Sequence, residues 1–172
     1  MELLLTQLNL QGITDYKIWN GIVNPIIPAK GISQAHKQIV RYAKENQFPE
    51  VLIAEDDLKF TDRGAFDFFL KNKPNDFDLY LASIYFGEIK NDSSVNGFSG
   101  LTFYIVKEKY YDTFLSRPEH DNLDRLMENT GKFIVCRPFT IIQENGFSDN
   151  VKRYCNYDNF LIGRELFNCK RH

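Results

Sequence analysis

Residues 51–57, VLIAEDD, constrain the fold more than any other stretch of this chain. Four consecutive apolar residues at 51–54 follow a turn containing Pro49 and match a strand buried on both faces. Three carboxylates, Glu55, Asp56 and Asp57, come immediately after it. Consecutive acids crowd like charge against a low-dielectric core unless a cation or hydrogen bonds offset it. The sheet is therefore expected to end at Ala54, with the acids at the strand's C-terminal end, where ligands of open α/β sheets bind.

Helix and strand signals alternate on both sides of this segment. Leu3, Leu4, Leu5, Leu8 and Leu10, closed by Gly12, predict a first helix, and residues 16–22 (YKIWNGI) predict a strand. Residues 24–31, with Pro25, Pro28 and Gly31, read as a loop, after which Ser33 is the expected N-cap of a helix bearing Ala35, Ile39, Tyr42 and Ala43. Residues 64–70 predict a helix, 76–83 a second buried strand, 88–99 a loop, 101–106 (LTFYIV) a third strand and 109–115 a helix. Asp121 is placed to cap a helix carrying Leu123, Leu126 and Met127, which Gly131 ends. A short strand at 133–136 and an extended stretch at 138–143 follow. This alternation predicts an α/β three-layer sandwich around a mostly parallel sheet, formed by residues 1–150, with a tail at 151–172.

Composition excludes several classes. With 21 Lys+Arg against 23 Asp+Glu and 43% hydrophobic residues, neither a disordered chain nor a broadly basic nucleic-acid coat fits. Cys136, Cys155 and Cys169 form no CxxC pair, so reduced thiols in a cytoplasmic protein are the expectation. The start, MELLLTQLNLQG, has an acid at Glu2 and a short apolar run, unlike a secretory signal, and no stretch approaches the ~18 apolar residues of a membrane span. Residues 151–172 hold five Lys/Arg against two Asp/Glu, interleaved with Tyr154, Tyr157, Phe160, Leu161, Leu166 and Phe167. Such a tail either docks on its own domain by its aromatic face or touches the inner surface of an anionic membrane. The acidic remainder argues against nucleic acid as a partner.

The acids suit a divalent metal: Mg²⁺ or Mn²⁺ prefers carboxylate oxygens and completes its shell with substrate phosphates. The alternative is that they cap the next turn and pair with Lys59 or Arg63. His36 lies three residues after Ser33 and shares its helix face, a position suited to phosphate or sugar oxygens or to a buried structural histidine. Asp121 is the candidate general base, or an ordinary cap, and Asp124 sits one turn later on the same face. Tyr85, at the end of the second predicted strand, is placed to stack on a base or sugar, or to pack in the core.

Gly31-Ile-Ser33-Gln-Ala-His36 followed by VLIAEDDLKF at 51–60 resembles glycosyltransferase family 25, the lipopolysaccharide and collagen-type sugar transferases. Residues 77–83, GLTFYIV at 100–106, Asp121 with Leu123, and PFTIIQENGFS at 138–148 are similar, in order, to further family motifs. The resemblance implies a nucleotide-binding GT-A fold and an inverting, metal-assisted transfer of sugar from a nucleotide-sugar, most simply a UDP-sugar. Its acceptor would be a saccharide or lipid-linked saccharide of a surface polysaccharide or lipopolysaccharide. It also implies that Asp56 and Asp57 ligate metal and diphosphate with Glu55 in support, and that Ser33 and His36 contact substrate beside the metal strand. Gln143 and Ser148 match the family's tail and either contact substrate or sit in a polar loop, and Asp124, one turn after Asp121, shares the base's role or binds acceptor. Family members begin with a strand and an Asn-Leu-x-x-Arg-x-x-Arg segment without a counterpart here, so a truncated domain is expected. A homo-oligomer paired through the resulting sheet edge, or a catalytically inactive, partner-dependent binding protein, is the alternative.

Overall fold

The computed structural model describes residues 2–119, 122–148 and 151–171. Its five-stranded sheet is built from β1 (Glu50–Ala54), β3 (Leu79–Leu81), β4 (Ser94–Val95), β5 (Phe103–Lys107) and β6 (Phe133–Val135), in the order β1-β5-β3-β6-β4. The predicted mostly parallel sheet is corrected: only β3 and β6 pair in parallel, while β1–β5, β5–β3 and β6–β4 are antiparallel. The reason lies in β5. Strands β1, β3 and β6 run the same way, as helix-linked strands do, but β5 inserts between β1 and β3 in the opposite sense. A strand buried on both faces shows the same apolar run whichever way its neighbours point, so LTFYIV carries no sign of direction.

Side chains alternate across the sheet into two cores. Ile53, Leu79, Leu81, Tyr104, Val106, Phe133 and Val135 face α2 (Pro28–Glu45), α4 (Tyr111–Ser116) and α5 (Leu123–Leu126), through Val40, Ala43, Phe114 and Leu123. Tyr80, Phe103 and Ile105 face α1 (Glu2–Leu10), α3 (Ala65–Lys71) and a two-stranded ladder of β2 (Leu58–Phe60) with β7 (Ile141–Gln143). Helices thus cover both faces. Among the described residues no helix is long and apolar enough to cross a membrane.

Two local expectations change. Residues 16–22 form no strand; Trp19 packs edge-on to Tyr42 of α2 at 5.2 Å, and Lys17 Nζ lies 4.0 Å above the same ring. The segment crosses α2 so closely at Gly31 that a Cβ there would stand 2.2 Å from the Ile22 carbonyl oxygen. Ser33 is not the cap: α2 already starts at Pro28, a residue whose missing N–H costs nothing in a first turn. Asn24 Oδ1 accepts from the N–H groups of Ile26 and Ile27 just before it, at 3.1 and 2.8 Å.

Past the main domain, β8 (Gly146–Ser148) pairs with β9 (Arg153–Cys155). Phe167 is buried against Phe68, and its N–H donates to the Phe139 carbonyl at 2.9 Å.

Candidate functional site

Strand register collects the site at one end of the sheet. Ala54 lies opposite Phe103, and Leu81 lies opposite both Tyr104 and Val135. The exits of β1, β3 and β6 and the entrance of β5 therefore share an edge, and Glu55, Asp56 and Asp57 make the turn from β1 into β2 there.

Gln143 reaches this turn because it pairs opposite Leu58 in the β2–β7 ladder. Its Nε2 donates to Asp57 Oδ2, and its Oε1 accepts from the Tyr85 hydroxyl. Tyr85 has one hydroxyl proton, so its 2.6 Å contact with Thr102 Oγ1 has threonine as donor. Thr102, Tyr85 and Gln143 form a chain of donors ending on one oxygen of Asp57. The Glu144 N–H anchors the Asp57 carbonyl at 2.8 Å.

The other oxygen, Asp57 Oδ1, is buried and without a hydrogen-bond partner. An unmet buried acceptor costs about 1–3 kcal/mol. Burial, then the charge of Glu55 and, more weakly, of Asp56, raises the Asp57 pKa to about 6 despite the Gln143 bond. Among the described residues Asp57 makes no ion pair. Lys59, a candidate partner for the acids, instead faces Glu144 at 3.6 Å.

Glu55 is held separately. Its N–H donates to the Thr102 carbonyl at 2.8 Å, and its Oε1 lies 3.3 Å from His36 Nε2. His36, from α2, is buried, and its Nδ1 is 2.7 Å from the Tyr104 hydroxyl. Ser33, one turn earlier, is fully buried with its hydroxyl unpartnered.

The third wall comes from beyond β8. Tyr157 lies 5.2 Å from the Tyr85 ring, and Ser148 lies close enough to act on its phenol. Burial pushes the Tyr157 phenol up to about 12, and the Asp57 charge adds to the rise.

Of the residues predicted from sequence, His36, Glu55, Asp57, Tyr85, Gln143 and Ser148 are thus joined by contacts at one sheet end, with Asp56 in the same turn. Asp124 stands apart. Its Oδ2 accepts from Ser99 Oγ and the Gly100 N–H, both at 2.9 Å, and its Oδ1 from the Arg125 N–H at 2.8 Å. It reaches the cluster through Ser99, whose carbonyl accepts from the Tyr85 N–H at 2.7 Å, and through Gly100, whose φ of +116° disfavours any side chain and where a Cβ would stand 3.0 Å from the Tyr85 ring. Asp121 and its neighbour His120 lie outside the described residues. Sequence reasoning missed Thr102, Tyr104 and Tyr157. For Tyr104 a signal existed, because a tyrosine inside a buried strand needs a partner for its hydroxyl.

Among the described residues no group of three or more His, Cys, Asp or Glu is arranged to hold a metal ion. What does fit is a cation that brings most of its ligands with it, since Asp57 Oδ1 is one buried acceptor with nothing to accept from.

No protein-family model and no curated protein sequence matches the chain. Among solved structures, HddC from Yersinia pseudotuberculosis, crystallised with GMP-PN, is similar at 18% identity and a TM-score of 0.43, over 83% of this chain and 68% of that one. A likeness that loose carries no argument about this chain.

Proposed function

We propose that this chain is a glycosyltransferase-like protein of the family 25 kind. It would take a nucleotide-sugar, a UDP-sugar first, as donor and a saccharide or lipid-linked saccharide as acceptor. The observation behind the reading is Asp57: a buried carboxylate with one oxygen unmet, crowded by like charge, at a strand's C-terminal end. Support also comes from the motif residues His36, Glu55, Gln143 and Ser148, together with Tyr85, which are far apart in sequence and neighbours in the fold.

In this reading Asp57, with Asp56 beside it, holds a Mn²⁺ or Mg²⁺ together with the donor's diphosphate. The metal would supply Lewis-acid neutralisation of the departing diphosphate. The protein's own groups do the rest. Gln143, fixed by Tyr85 and Thr102, occupies Asp57 Oδ2 and leaves Oδ1 without a protein donor. Tyr85 and Tyr157 supply an aromatic wall for a base or sugar ring. Asp121 would take the proton from the acceptor hydroxyl as it attacks the anomeric carbon from the face opposite the leaving group, with inversion. Asp124 acts on this site by holding Gly100 against Tyr85.

The test is calorimetric titration of UDP, UDP-glucose and UDP-galactose, with and without Mn²⁺, into wild type and an Asp56→Asn/Asp57→Asn variant. Metal-dependent binding that the double substitution abolishes supports the reading. Absence of binding in every combination overturns it, in favour of a non-catalytic binding or assembly protein, and light scattering would then ask whether two copies pair.

A further inference from the structure

Tyr104 and His36 are joined in the core by a hydrogen bond, and the other side of the His36 ring faces Glu55. Tyr104 sits in β5 and is fully buried, and its ring stacks on that of His36 with centroids 5.8 Å apart. His36 is 6% exposed, so neither of its ring nitrogens can rely on water for a partner. Each faces one protein group: Nδ1 the Tyr104 hydroxyl at 2.7 Å, and Nε2 the Glu55 Oε1 at 3.3 Å.

Three proton arrangements are conceivable for the ring, and two leave a conflict. With the proton on Nδ1 alone, the lone pair of Nε2 would face a carboxylate oxygen, acceptor against acceptor. With protons on both nitrogens, the Tyr104 oxygen would accept from Nδ1, and its own O–H would have no acceptor, because among the described residues His36 is its sole partner. An orphaned buried O–H costs about 1–3 kcal/mol. With the proton on Nε2 alone, Tyr104 donates to Nδ1 and Nε2–H faces the Glu55 carboxylate at 3.3 Å, and neither nitrogen conflicts with its neighbour. Burial and the Glu55 charge both raise the Tyr104 pKa far above the ordinary phenol value, so its hydroxyl keeps the proton it must donate.

We infer that Tyr104 is a positioning residue: its hydroxyl fixes His36 as the Nε2–H tautomer, and that N–H in turn fixes the carboxylate of Glu55 at the mouth of the acidic turn. Glu55 would otherwise be free to rotate, since its side chain makes no other hydrogen bond or ion pair among the described residues. The consequence for ligand binding rests on the reading of the Asp57 site given above. Glu55 is the charge that acts most strongly on Asp57, so its orientation sets the field the diphosphate-bound cation would meet.

The experiment is long-range ¹H–¹⁵N correlation on protein labelled at histidine, at neutral pH, with a His36→Gln variant to assign the His36 signals. Wild type is expected to show the Nε2–H pattern for His36. Tyr104→Phe keeps the ring and its stacking, loses only the hydroxyl, and is expected to lose the pure Nε2–H pattern. Its Mn²⁺-dependent UDP affinity should fall about 10-fold with little change in melting temperature. An Nδ1–H or doubly protonated His36 in wild type, or an Nε2–H pattern that survives in Tyr104→Phe, overturns the inference. A changed tautomer with unchanged UDP affinity overturns the link to the site. Should wild type bind no UDP at all, the functional reading fails, while the tautomer result still decides the role of Tyr104.

Discussion

The two ends of the central sheet treat acidic residues in opposite ways. At the entrance to β1, Glu50 takes Lys73 on one oxygen and Lys107 on the other, the second at 2.6 Å. These two lysines lower its pKa although burial opposes them. Beside it, Asp76 is bracketed by Lys109 at 2.7 Å and Lys132 at 2.9 Å, and hydrogen bonds from them bring its pKa to about 2. At the exit of the same strand Asp57 has Gln143 and no cation, and its pKa rises to about 6. Both ends are rich in carboxylates, so acidity alone does not mark a site. What marks it is acid left without its counter-charge where burial makes that costly.

The largest expected effect is on binding. Asp57→Asn should weaken Mn²⁺-dependent UDP binding at least about 100-fold by calorimetry, whereas Asp76→Asn at the opposite end should leave it unchanged. Equal losses from both would erase the functional contrast between the ends.

The next effect is on stability and its pH dependence. Asp57 has a higher pKa folded, about 6, than unfolded, 3.8, so the folded state holds the proton more tightly between those values. Stability from this group is therefore greatest below pH 4, declines as pH rises towards 6, and stays low above it. Asp57→Asn removes the charge, so urea unfolding at pH 7.5 should show a gain of about 1–3 kcal/mol that disappears below pH 4. A loss of stability at pH 7.5 would mean that the carboxylate is already compensated.

Glu50→Ala runs the contrast in reverse. It strands two half-buried lysines beside each other and should cost about 1–2 kcal/mol in the same assay. Asp76→Asn is the smallest change. That side chain is exposed, its pairs are screened by solvent, and the thermal midpoint should stay within error at physiological salt.

The β1 end of this contrast could be read from sequence, because VLIA followed by three acids is a local pattern that burial and charge explain together. The helices at α2, α3 and α4 were legible for the same reason, their apolar residues recurring at helical spacing. Strand direction was not legible. It depends on where β5 inserts, a non-local pairing that leaves no trace in a run buried on both faces. Nor was the start of α2, where Pro28 and the Asn24 side chain outweighed Ser33. Gln143 was placed near substrate from its motif alone. Its actual partner, Asp57, follows from the β2–β7 register, which sets residues 58 and 143 opposite each other across about half of the chain.

The aromatic wall has a consequence for the order of assembly. Tyr157 stands roughly a hundred residues after the acidic turn whose neighbour Tyr85 it packs against, and Arg164, donating to the Gly87 carbonyl at 2.9 Å, stands 77 residues along the chain from its acceptor. During synthesis the acids, their strand and the helix bearing His36 emerge long before these covering residues leave the ribosome. Until then Tyr85 and the turn beside it lack the Tyr157 ring. A nascent chain halted before Tyr157 would therefore carry the acids without the second ring of the aromatic wall.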